Sequence, residues 1–151
     1  MVAFDSENTL KMAYEHYENG DYYQSRQLLV NEDNSIPLAD FYLYESYLAR
    51  EELGIKKSQK YLYQALDQLA SKNSSTAYEI SLNLAFDAYL QKDLTALSHA
   101  LIQSRHYTKS EDPWLYFFQG LLAYLKENYS DALTFWKLSG TKQWLSPWMR
   151  T

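Results

Sequence analysis

Residues 112–140 read DPWLYFFQGLLAYLKENYSDALTFWKLSG, and the fold is decided inside them. Asp112 is a candidate N-cap, and Pro113 behind it suits a first helical turn because its φ is already fixed there. Apolar residues then recur at three and four spacing on both sides of a polar break, Lys126-Glu127-Asn128, which predicts two helices over 113–127 and 129–139. Gly140 follows the second as a terminator, whereas Gly120 falls inside the first and needs a packing reason. Twelve residues after Gly120 comes Ala132. Across a short turn that separation places both at the closest approach of two antiparallel helices, where a large side chain would hold the backbones apart.

The same device recurs outward along the chain. Ala13 with Ser25 and Ser46 with Ser58 repeat the small pair twelve apart, and Ala85 with Leu97 is a degraded copy. Four residues further on stands a large apolar side chain, Leu29, Leu62, Leu101 or Trp136, expected to fill the gap toward the next hairpin. The first members of the pairs are 33, 39 and 35 residues apart, the period of a helical repeat. Helices are therefore predicted over 7–19, 22–31, 38–53, 56–71, 75–91, 94–106, 113–127 and 129–139. Gly20 and Gly54 serve as terminators between them, and Pro37 and Pro147 stand where helices should begin.

At this point the chain resembles the tetratricopeptide-repeat family, whose unit of about 34 residues is a helix pair. The fourth unit carries the resemblance in Gly120, Tyr124, Tyr129, Ala132, Trp136 and Ser139. The first carries it in Ala13, Tyr17, Gly20-Asp21-Tyr22, Ser25, Leu29 and Pro37. Unit two departs with Ala49 in place of an aromatic, and unit three with Leu97 and no closing proline. The resemblance implies an all-α fold: a right-handed α-solenoid of about four antiparallel hairpins forming one domain, with units near 6–36, 37–73, 74–110 and 111–145. Ser146-Pro147-Trp148-Met149 repeats Asp112-Pro113-Trp114-Leu115 after 34 residues, so the tail 146–151 reads as the start of a fifth unit. Solenoid ends are normally polar-faced. Trp144, Leu145, Trp148 and Met149 are the opposite, so that either the natural chain continues or this tail folds back as an unusual cap, and an incomplete fifth unit predicts self-association through the C-terminal end.

Composition excludes several function classes. The 151 residues contain no cysteine, which removes disulfides, thiolate metal sites and cysteine nucleophiles. The longest nearly apolar run, 114–125, is well short of the ~18 residues that would suggest a membrane span, so no membrane insertion is expected. No secretory signal is evident near Met1. A cytoplasmic location is the expectation, or an extracytoplasmic one had an upstream signal been removed. The first 55 residues hold eleven acids against three bases, a net −8, while the rest of the chain carries +3 toward the total of −5. Nucleic-acid binding needs a continuous Lys/Arg face, and none exists here.

Catalytic chemistry finds no support either. His16, His99 and His106 form no metal-ligand spacing, Glu111-Asp112 is accounted for by a helix start, and no phosphate loop, dinucleotide fingerprint or nucleophile elbow is present. The chain reads as a non-enzyme with no cofactor and no metal. Fifteen tyrosines are the unusual feature. Tetratricopeptide-like arrays line their concave side with one face of each first helix, and the resemblance puts Tyr14, Tyr17, Tyr47, Arg50, Phe86, Tyr89, Phe117 and Tyr124 on that face. The rival reading of these aromatics is ordinary packing between helices. As a groove, they predict a protein-interaction module taking an apolar or basic segment of a partner protein, because tyrosine buries large area while keeping a hydroxyl for hydrogen bonding. The Lys, Asn and Arg that clamp acidic peptides in some repeat proteins are missing, with Leu10, Tyr14, Tyr44, Glu79 and Asn83 in their stead. Small acidic proteins of this build resemble type III secretion chaperones and assembly scaffolds. The alternative is an architectural or ligand-sensing fragment of a longer solenoid.

Overall fold

The computed structural model describes residues 6–31, 38–52, 54–69, 74–108 and 112–140. Among them are eight helices and no strand: α1 (Ser6–Glu18), α2 (Tyr22–Asn31), α3 (Leu38–Glu52), α4 (Ile55–Asp67), α5 (Ser74–Leu90), α6 (Leu94–Arg105), α7 (Pro113–Leu125) and α8 (Tyr129–Ser139). The all-α expectation holds. The chain divides into two compact units, residues 1–69 and 70–151, each with four of the helices. Every odd-numbered helix packs chiefly against the even-numbered helix that follows it.

The turns inside these pairs share one construction. Asp21, Gly54, Asp93 and Asn128 donate their backbone N–H to the carbonyls of His16, Ala49, Ala88 and Ala123, at 2.8, 2.8, 2.9 and 2.9 Å, closing a Schellman-type turn five residues back. The residue before the donor is left-handed at Gly20 (φ 80°), Lys92 (φ 56°) and Glu127 (φ 63°). Lys92 and Glu127 adopt this conformation at a cost of about 1 kcal/mol, so the bonding pattern rather than glycine defines the turn. Gly54 combines two roles, since its N–H closes the end of α3 and it is the N-cap of α4. Asp93 caps α6 through the Ala96 N–H at 3.0 Å, and Asp112 caps α7 through the Trp114 N–H at 2.8 Å. Left-handed Glu127 ends α7 at Leu125 instead of 127.

Equal turns put the repeats in register, and all the small pairs are buried. Ser25 Oγ donates to the Ala13 carbonyl oxygen at 2.7 Å, a contact possible only where the two backbones nearly touch. Ser46 and Ser58 have no exposed surface, and Leu97, though large, is equally buried in a core with Ala85, Leu101, Trp114 and Phe118. The same register places Arg50, not Ala49, opposite the turn where the other pairs have Tyr17, Tyr89 and Tyr124.

Trp136 lies across Gly120 in its own hairpin, where an added Cβ would collide with the indole, and its Nε1 donates to the Phe117 carbonyl at 3.2 Å; the next hairpin it was expected to reach falls outside the described residues. The other three pairs combine a Cβ-bearing small residue with leucine: Ala13 with Leu29, Ser46 with Leu62, Ala85 with Leu101. Glycine and tryptophan thus exchange volume within one site. Alanine at Gly120 would gain up to about 1 kcal/mol of helix propensity, yet it must displace the indole and break its hydrogen bond. The expected result for Gly120→Ala is a net loss of about 1–3 kcal/mol in a denaturant melt. Adding Trp136→Leu, which recreates the pairing of the other hairpins, is expected to restore part of that loss; strictly additive effects would place the indole elsewhere.

Candidate functional site: a tyrosine surface in the first unit

Helical spacing brings Tyr14 and Tyr17 to one face of α1 and Tyr44 and Tyr47 to one face of α3. The four rings form a closed set. Centroids are 6.3 Å apart for Tyr14–Tyr17, 5.8 Å for Tyr17–Tyr47, 5.5 Å for Tyr44–Tyr47 and 6.2 Å for Tyr14–Tyr44. Tyr22, the first residue of α2, adds a fifth ring 5.8 Å from Tyr17. Each such aromatic pair contributes about 0.5–1.5 kcal/mol beyond area burial. Tyr17 is 6% exposed and Tyr47 is 1% exposed, while Tyr14 and Tyr44 remain half-buried. The set therefore has a floor of two rings and a rim of two.

Electrostatics around the floor are acidic. Burial pushes the Tyr17 hydroxyl far above its ordinary range, the Glu51 carboxylate adds to that shift, and the Arg50 guanidinium opposes it. Burial, followed by Glu51 and Glu52, also raises Tyr22. Glu18 and Glu51 are exposed on α1 and α3, and Arg50 is half-buried. Behind this face Arg26 of α2 ties the helices together: Nη1 meets Glu52 Oε2 at 2.9 Å, and Nε lies 3.7 Å from Glu45 Oε2. Glu45 is 6% exposed, and its carboxyl is raised, by burial first, with Arg26 pulling the other way.

The eight residues expected to form one groove fall into two groups. Tyr14, Tyr17, Tyr47 and Arg50 belong to the first unit; Phe86, Tyr89, Phe117 and Tyr124 belong to the second. Tyr47 is corrected from an exposed anchor to a core side chain, because α1 and α3 close over it. Phe86, Tyr89 and Phe117 are half-buried against the second unit's core, so much of their area is spent on packing. Tyr124 is 46% exposed and stacks near Tyr129 and Trp136. Tyr44 was not among the expected residues, although its i, i+3 relation to Tyr47 is the signal that could have found it. The second unit also holds an open cavity of about 350 Å³ bounded by Ile102, Leu122 and Phe135 with Arg105, Lys126 and Asp131.

Among the described residues no three His, Cys, Asp or Glu side chains gather as metal ligands would. Nor is any helix among them long and apolar enough to cross a membrane. Comparison with protein-family models, characterised proteins and solved structures gives no match for this chain.

The buried phenols carry a pH signature. Tyr17 is raised as described, and Tyr78 of α5 is raised by burial, with the Asp112 carboxylate adding to it. Above the ordinary tyrosine value of 10.0 the unfolded chain ionises these groups while the folded chain keeps them protonated. Their contribution is intact below that pH and is lost as pH rises past it. A Tyr17→Phe, Tyr78→Phe variant is expected to retain helical circular dichroism to higher pH than the parent. An unchanged alkaline midpoint would show that neither phenol is shielded.

Proposed function

We propose that the chain is a non-catalytic interaction module of the tetratricopeptide-repeat type, a right-handed solenoid of helical hairpins, and that it takes a cationic, amphipathic segment of a partner protein on the tyrosine surface of its first unit. The observation that carries this reading is the half-exposed pair Tyr14 and Tyr44, 6.2 Å apart on a floor of buried Tyr17 and Tyr47. Rings held by neighbouring rings lose little freedom on binding, so the ordering cost that normally offsets contact energy is small. Their π faces and hydroxyls suit an apolar segment interrupted by Lys or Arg. Lys57, whose Nζ lies 5.5 Å from the Tyr61 ring centroid, is an example of the same contact within the chain. The exposed carboxylates of Glu18 and Glu51 supply the complementary charge.

Selection from a displayed library of random peptides tests this reading directly. Enrichment of sequences mixing Lys or Arg with apolar residues is expected, whereas acidic or purely apolar winners would overturn the assignment. Tyr14→Ala with Tyr44→Ala is expected to leave the melting curve within about 1 kcal/mol of the parent and to weaken a selected peptide by 2 kcal/mol or more, roughly thirtyfold. Tyr47→Ala, by contrast, should destabilise the fold by about 3–5 kcal/mol because the ring is fully buried. Glu18→Gln with Glu51→Gln should chiefly slow association and flatten its salt dependence.

A further inference from the structure

Each unit carries the same set of three helices, α2, α3 and α4 in the first and α6, α7 and α8 in the second, with different side chains on the face they share. The small pairs set the register, Ser25 with Leu97, Ser46 with Gly120 and Ser58 with Ala132. Arg26 then corresponds to Ser98, Glu45 to Gln119 and Glu52 to Lys126. In the first unit the Arg26 guanidinium spans from α2 to α3, 2.9 Å from Glu52 and 3.7 Å from Glu45. The second unit has no such strut: serine is too short to make it, and an amide and an ammonium stand in the places of the two acids. The cavity of about 350 Å³ opens at this position, with Ser98, Gln119 and Lys126 on its lining.

The cavity has two unlike ends. Lys126, the C-cap of α7, shares a second opening with Leu94 and Thr95 at the start of α6, so Arg105, the last residue of α6, stands at the opposite end. Asp131 is the one carboxylate among the described residues on the lining, and Asn128 Nδ2 donates to its Oδ2 at 2.7 Å, which holds it by the turn that follows α7, toward Lys126. Among the described residues no carboxylate pairs with Arg105. Between the ends the walls are apolar, with Ile102 51% exposed and Leu122 and Phe135 half-buried.

We infer that this cavity is a binding site for a small amphiphilic carboxylate, its anionic group on the Arg105 guanidinium and its apolar body along Ile102, Leu122 and Phe135. A carboxylate matches the paired N–H donors of a guanidinium. The wall from Ser98 to Arg105 runs about 10 Å along the helix, and the volume is at the small end of the ~300–1,000 Å³ usual for ligand pockets, dimensions that suit a free small molecule and not a length of partner chain. The site is independent of the tyrosine surface, since all of its residues belong to the second unit.

Titration of the isotope-labelled 151-residue chain with octanoate, followed by amide NMR shifts, tests the assignment. Octanoate at about 1 mM is expected to move amides of α6, α7 and α8 and to leave those of α1–α4 in place. Octanol and octylammonium, of equal chain length, should bind at least about tenfold more weakly. Arg105→Gln, at an exposed position, is expected to cut octanoate affinity at least about tenfold with an unchanged melting curve, and Arg105→Lys to recover part of it. Ser98→Arg, which introduces the side chain of the first unit, is expected to abolish binding by filling the cavity. Absence of shifts in α6–α8, shifts centred on α1–α4, or equal affinity for octanol and octanoate would overturn the proposal. So would a peptide of alternating leucine and glutamate that displaces octanoate and binds at least about tenfold more tightly, since the occupant would then be a protein segment.

Discussion

Close approach of two helices at a pair of small residues twelve positions apart is the constraint on which the remaining structure depends. A turn closed by a bond from the N–H of the eighth residue beyond the first small position, as from Asp21 to the His16 carbonyl, fixes how the second helix leaves the first. Once Ala13 faces Ser25, or Gly120 faces Ala132, every other side chain on those helices has its face assigned. The hydrogen bond from Ser25 to the Ala13 backbone also shows why serine is acceptable in such a place: its hydroxyl is satisfied by the neighbouring main chain instead of being buried unpaired. Ser104 does the same within α6, bonding the Ala100 carbonyl at 2.8 Å.

That face assignment explains how one residue type plays two roles. Tyr17 and Tyr47 lie where α1 and α3 meet and lose nearly all their exposure, whereas Tyr14 and Tyr44 sit one position set further out and keep part of theirs. Desolvating the Tyr17 hydroxyl is unfavourable to its ionised form, which leaves the floor of the surface neutral under all ordinary conditions. Charge of both signs flanks Tyr17, the Glu51 carboxylate and the Arg50 guanidinium, while Glu45 and Glu52 are engaged by Arg26. Glu51, exposed on α3, adds to the shift that burial imposes on the Tyr17 and Tyr22 hydroxyls.

Helix positions, the small pairs and the caps at Asp112 and Pro113 were legible in the sequence because each is a local signal with a steric or hydrogen-bonding cause. Three things were not. The left-handed turn residues Lys92 and Glu127 give no sequence sign, since their strain is repaid by bonds that only the closed turn makes. Exposure along a face could not be read from period alone: Tyr14 and Tyr47 occupy the same place in successive repeats, yet the second is covered and the first is not. Tyr44 escaped for a related reason, because it belongs to the neighbouring ridge of α3 and joins the cluster through Tyr47 on its own helix and Tyr14 of α1 together.

The exchange of volume between Gly120 and Trp136 shows how far such a repeat can vary while keeping its geometry. In three hairpins the small position carries a methyl or hydroxymethyl group, and a buried leucine stands on the second helix where the fourth hairpin has Trp136. In the fourth, one side yields completely and the other supplies an indole whose nitrogen finds a main-chain carbonyl. Removing Cβ from an interior helical position costs up to about 1 kcal/mol in backbone freedom, while a buried aromatic contributes more than a leucine through area and a hydrogen bond. The two changes are acceptable only together, which ties the glycine to the tryptophan more tightly than either is tied to the repeat pattern. Sequence similarity between the units is therefore a poor measure of their structural likeness. The conserved quantity is the filled space between two helices at the turn.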